Sequence, residues 1–133
     1  MELDDAIDDF VQDDMTSIFL SDASLHRQVA EKLKASDDGR PVFDYTVTYY
    51  GHWMYDVDDK RPLMGEATSH VDEVNRYVSV VHWKSREMMD AIGRWQREDP
   101  ESVIVVFGDH LPLRVGAAGD QVLGHRPVGL GRA

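Results

Sequence analysis

Val103-Ile104-Val105-Val106-Phe107, followed at once by Gly108-Asp109-His110-Leu111-Pro112, decides how the rest of the chain is read. Five apolar residues in a row are too few for a helix. They suit a strand covered on both faces, as a parallel sheet requires. Upstream, Val42 to Tyr50 (VFDYTVTYY) is rich in β-branched and aromatic residues and predicts a second strand. Between the two, Ser69 has Asp72 three residues on, in capping-box spacing. Val74, Tyr77, Val78, Val81, Met88, Ile92 and Trp95 then fall mostly on one helical face, so a helix is predicted from Ser69 to about Gln96. Asp99-Pro100 closes it. Strand, long loop (51–67), helix, strand is a right-handed crossover unit. The predicted fold class is therefore α/β, a mostly parallel sheet with flanking helices.

Further upstream, Ser21 offers an N-cap, and Leu25, Val29, Ala30 and Leu33 follow at helical spacing. Asp22 stands in the first turn, and Lys32 and Lys34 in the last, as the helix dipole favours. This predicts a helix from Asp22 to Ala35, ended by the turn-forming stretch Ser36 to Pro41. Residues 1–20 mix acids with Leu3, Ile7, Phe10, Val11, Met15, Ile18 and Phe19 at near-helical spacing, which predicts a short helix or two. Gly116, Gly119, Gly124, Gly129 and Gly131 punctuate a stretch without periodicity. One domain over 1–115 and a flexible tail over 116–133 follow.

The chain has 133 residues and a net charge of -11, enough for one core and the wrong sign for generic binding to nucleic acid. Glu2, Asp4, Asp5, Asp8, Asp9, Asp13 and Asp14 crowd the first 14 residues with no base among them. Such a run reads as a solvated face or a cap region sooner than as a cation site. There is no cysteine, which excludes disulfides, zinc thiolates and thiol nucleophiles. No apolar run approaches the roughly 20 residues of a membrane span, and no signal peptide opens the sequence. Work outside the cytoplasm would depend on another portion of the protein.

The sharpest chemical feature is Asp109-His110, directly after the apolar run. Ligands bind beyond the carboxyl ends of parallel strands, and a carboxylate beside an imidazole offers two donors to one divalent ion. The plain alternative is a turn-capping Asp and a surface His. The second feature is Gly51-His52-Trp53, with Tyr55 close by, at the end of the first predicted strand. His52 could donate to a phosphate or sulfate oxygen, and Trp53 and Tyr55 could wall a sugar or lipid headgroup. Equally, His52 could cap the strand while the aromatics pack as core. His26, His70, His82 and His125 have no comparable setting and read as structural or surface residues. Arg76 reads as a surface charge. No nucleophile elbow, P-loop or dinucleotide fingerprint is present.

Ser102 to Pro112 (SVIVVFGDHLP) is similar to the metal-site motif of the lipoteichoic acid synthase and phosphoglycerol transferase group, in the sulfatase branch of the alkaline phosphatase superfamily. Asn75-Arg76-Tyr77-Val78 and Met89-Asp90-Ala91-Ile92 resemble the helix before that motif. Thr46 to Tyr55 (TVTYYGHWMY) resembles a strand ending in a substrate-contacting histidine, and Ser21 to Leu25 the opening of an earlier helix. The resemblance spans about residues 20–112. It implies a partial alkaline-phosphatase-like domain, the C-terminal portion of a metal-dependent phosphoryl transferase or sulfatase-like hydrolase. Asp109 and His110 would bind a divalent metal, manganese before zinc, magnesium or calcium. His52, Trp53 and Tyr55 would meet a phosphate- or sulfate-ester substrate such as a lipid headgroup or glycan. The nucleophile and a further acidic ligand would lie upstream. Thr16 and Ser17 are the only hydroxyls among the first 20 residues, and their surroundings do not match the nucleophile motif. No catalytic residue is therefore expected in this chain, and its partner would be the upstream part of the same domain. The setting implied is the extracytoplasmic face of the cell envelope, in a membrane-anchored protein. The sequence departs from the family at Gly51, where Asn is common, and at Trp53-Met54, where Pro is. The competing expectation is a non-catalytic interaction domain that keeps the scaffold and covers its exposed core by self-association or with a partner chain.

Overall fold

The structure, a computed structural model, describes residues 9–52, 54–64 and 69–108. Two helices organise them, α1 over Asp22–Ala35 and α2 over Asp72–Glu98. α1 begins as its cap predicts. The Ser21 hydroxyl accepts the Ser24 amide at 3.1 Å, satisfying a helix-end donor that otherwise lacks a partner. The helix closes where the Ser36 amide reaches back to Lys32 O at 3.0 Å.

α2 departs from expectation at its start. Val71 is the N-cap residue and contributes no side-chain cap. Ser69 is occupied otherwise: its hydroxyl accepts the Val71 amide at 3.1 Å, and Asn75 bonds its backbone at both ends. The capping box is thus replaced by a side-chain clasp one turn long.

The two helices run side by side in the same sense. Asp22 lies at Lys84, His26 at Trp95, and Lys34 at Glu98. Glu87 of α2 also accepts the Ala23 amide at 2.9 Å, so one helix supplies a carboxylate to the positive end of the other. Leu20, Leu25 and Val29 form one apolar cluster with Phe10 and Leu33 against it. Tyr50, Tyr55 and Val80 form a second with Phe19, Val57, Tyr77 and Trp83.

The expected α/β class is corrected. Among the described residues there are two helices and no strand, hence no parallel sheet. Segments 42–50 and 103–107 carry strand-forming residues without ladder partners. Instead of being covered on both faces, Val103 and Val105 are 89% and 73% exposed, and Phe43 is 89% exposed. The two segments do meet, with Tyr45 stacked on Phe107 at 6.5 Å between ring centroids. Strand propensity measures fit to a pleated, half-buried surface, and a ladder needs a neighbour's amides and carbonyls.

The predicted helix near the N-terminus is also corrected where it is described. Residues 14–20 fold into a tight turn, with an isolated bridge between Met15 and Leu20. Thr16 Oγ1 accepts the Phe19 amide at 3.0 Å and donates to Phe19 O at 3.2 Å. A hydroxyl that can serve the backbone both ways stabilises a turn in place of a helix. The tail over 116–133 lies outside the described residues.

Candidate functional site

The segment entering from Thr48 ends in a turn over Tyr49 to Tyr55. The His52 amide donates to Tyr49 O at 3.0 Å, and the Tyr55 amide to His52 O at 3.3 Å. Three backbones inside it have positive φ: Gly51 at 101°, Met54 at 91° and Tyr55 at 32°. The two residues with side chains hold a conformation that costs energy, so the surroundings must impose it.

Those surroundings are specific. Tyr50 is fully buried beneath the turn, with the Arg61 guanidinium over its ring at 5.6 Å. Tyr55 is buried too and meets Tyr77 edge-on at 5.1 Å. Lys84 of α2 donates to Tyr50 O at 2.7 Å and also bonds Thr48 Oγ1. From the other side, Asp56 accepts the Ser17 hydroxyl at 3.0 Å, and the Phe19 ring lies 6.3 Å from His52. The N-terminal turn, the loop and α2 therefore converge on one exposed imidazole, that of His52.

A buried charge network lies below. Arg61, 4% exposed, donates to Asp14 and Glu87 at 2.6 Å each, with Asp58 at 3.4 Å. Burial alone would raise the Asp14 carboxyl. The bonds from Arg61, Lys60 and Ser21 outweigh it and hold that carboxyl well below the usual range. Asp22, wholly buried, has the Lys84 ammonium at 3.1 Å from Oδ2. Burial pushes it up to about 6, against the pull of Lys84. Burial likewise pushes His26 down to about 4, with Lys84 and Arg94 adding to the effect. Among the described residues, neither ring nitrogen of His26 has a hydrogen-bond partner.

Of the residues singled out from sequence, the structure places His52 at the surface of the turn and Tyr55 under it. Trp53, Asp109 and His110 lie outside the described residues, as does His125. Among the described residues no three His, Cys, Asp or Glu side chains group closely enough to hold a metal ion. Arg76 pairs on the surface with Asp72 at 3.0 Å, as expected of a helix-face charge.

Sequence reasoning missed Lys84, Arg61, Glu87, Asp14 and Asp22. One signal was available: Lys84 and Glu87 share a helix face with the buried Val80 and Ala91. Charges on a buried stripe call for partners. The N-terminal acids read as a solvated face or a cap region, and within that run Asp13 bonds Ser24 and Arg27 while Asp14 anchors Arg61. An exposed imidazole on a braced turn can donate to an anionic oxygen.

No family model matches the chain, and no solved structure matches it. Two relatives do. The lipoteichoic acid synthase-like protein YvgJ of Bacillus subtilis is 32% identical over 97 residues, which is 71% of this chain and 15% of that protein. A Rhizobium meliloti protein named for cyclic beta-1,2-glucan modification is 31% identical over 100 residues, with the same shares of the two chains. The chain thus spans about 15% of the length of the curated relatives it matches.

Proposed function

We propose, from the premise that this chain is a relative of the lipoteichoic acid synthase-like group, that it supplies the substrate-contacting end of a phosphoryl-transfer domain. His52 would donate a ring N–H to a non-bridging oxygen of a phosphate ester such as a phosphoglycerol headgroup or a glycan-linked phosphate. The observation that carries this reading is the convergence of three parts of the chain on the exposed His52 turn. A merely surface histidine has no need of a braced, positive-φ backbone.

Asp109 and His110 are the proposed donors to a divalent metal, manganese first. The described residues offer no such cluster by themselves. A carboxylate and an imidazole suit it chemically, and further ligands would have to join them. The nucleophile is proposed to lie outside this chain, in the upstream part of the domain, which makes the chain inactive alone. The proposed setting is a membrane-anchored protein at the extracytoplasmic face. No helix among the described residues is long and apolar enough to cross a membrane.

The test is a titration of the chain with glycerol phosphate, followed at the histidine ring resonances. The His52 ring resonances are expected to shift and saturate as the ester is added. No shift at His52, or an equal shift at the surface residue His70, would defeat the reading.

A further inference from the structure

The backbone that presents His52 is gripped by a single side chain from α2, and we propose that Lys84 is the positioning residue of His52. The proposal rests on the reading of His52 as the ester-contacting group. The Lys84 ammonium donates to Tyr50 O at 2.7 Å and to Thr48 Oγ1, and it is ion-paired with Asp22 Oδ2 at 3.1 Å. Each partner comes from a different place. Thr48 belongs to the segment entering the turn, Tyr50 to the turn itself, and Asp22 to the first turn of α1.

The stem of the lysine acts as well. A Cβ built on Gly51 would lie 3.2 Å from Lys84 Cδ, and Gly51 has φ of 101°. Glycine at this position lets the backbone close onto the lysine, two atoms before the His52 amide. The His52 amide is then fixed on Tyr49 O at 3.0 Å, so the grip on residues 48–51 sets where the ring emerges. Asp22 holds the ammonium in place. Arg61 and Glu87, which also act on Asp22, complete the charges around the pair.

Arginine would not substitute. Its planar fork cannot aim donors at Thr48 Oγ1 and Tyr50 O and face the Asp22 carboxylate in the space of an ammonium. Methionine keeps an unbranched stem against Gly51 and removes the donors.

The experiment uses the full chain as wild type, Lys84→Met, and the double variant Lys84→Met/Asp22→Asn. The double variant avoids leaving a buried carboxylate without its counter-charge, so it remains informative should the single variant fail to fold. Amide hydrogen exchange is measured residue by residue, and glycerol phosphate is titrated at the His52 ring. Exchange at the His52 amide is expected to rise about tenfold, the value of one to two lost hydrogen bonds, while the amides of Val29 to Leu33 in α1 stay near wild type. Affinity for glycerol phosphate should fall by a similar factor. Unchanged exchange at His52, a rise shared equally with α1, or full affinity in a variant whose turn has loosened would each overturn the proposal. A wild type that ignores glycerol phosphate would instead defeat the reading of His52, and the exchange data would still decide whether Lys84 holds the turn.

Discussion

His26 is 3% exposed, faces the edge of Trp95 at 5.1 Å and leaves both nitrogens without partners among the described residues. Its pKa falls from 6.5 to about 4 on folding. The folded state therefore binds fewer protons than the unfolded chain between those values. The resulting stability is present above pH 6.5 and lost as pH falls through 4. Asp22 has the opposite sign. Its folded value of about 6 exceeds the model-compound 3.8, so its contribution is full below 3.8 and lost as pH rises through 6. The two offset each other across mildly acidic pH, which flattens the wild-type profile. His26→Leu should uncover the Asp22 effect. Chemical denaturation at pH 5 and 7.5 is expected to show the variant gaining about 2 kcal/mol at pH 5 relative to the wild-type change. Parallel profiles would mean that burial does not perturb His26. At α1, Ser21→Ala removes the cap of the Ser24 amide and a partner of Asp14. A loss of about 1–2 kcal/mol is expected by the same method.

At the scale of elements, α1 was legible to its ends because its signals are local: a Ser cap, an acid in the first turn, lysines in the last. α2 was legible as a helix through its apolar period. Its first turn was not, since Asn75 takes the backbone of Ser69 in place of a capping box. The segments 42–50 and 103–107 show what composition leaves open. Val, Ile, Tyr and Phe state a preference, and the pairing that would make a strand depends on a second segment. His52 was singled out because it ends such a segment, whereas Lys84 and Arg61 were not, because most of their partners are 26 to 62 residues away. Buried Arg61 joins the N-terminal turn, the loop and α2 by three half-buried carboxylates, and removing it leaves them without their shared counter-charge. Arg61→Met should cost about 3–5 kcal/mol, read as a drop in the denaturation midpoint. A loss under about 1 kcal/mol would show the network to be no more than a surface ion pair.

For the whole molecule, the balance of covered and uncovered apolar surface stands out. Among the described residues two small clusters make the core, while Phe43, Val103, Val105 and Phe107 are all more than 60% exposed. Large apolar side chains left uncovered favour association. The isolated chain is expected to grow in apparent mass with concentration by light scattering. Phe43→Lys/Val105→Lys should suppress that growth while α1 and α2 keep their helical signal. A chain that stays monomeric at high concentration would speak against any need for cover.

The central claim is that this chain carries one end of a metal-assisted phosphoryl-transfer site, and calorimetric titration with manganese tests it most directly. Wild type is run beside Asp109→Ala/His110→Ala. The expected result is one saturable site per chain in the wild type that the double variant lacks, above a weak background from the N-terminal acids in both. Identical weak binding in the two proteins would contradict the claim and leave His52 on a braced turn with no metal beside it.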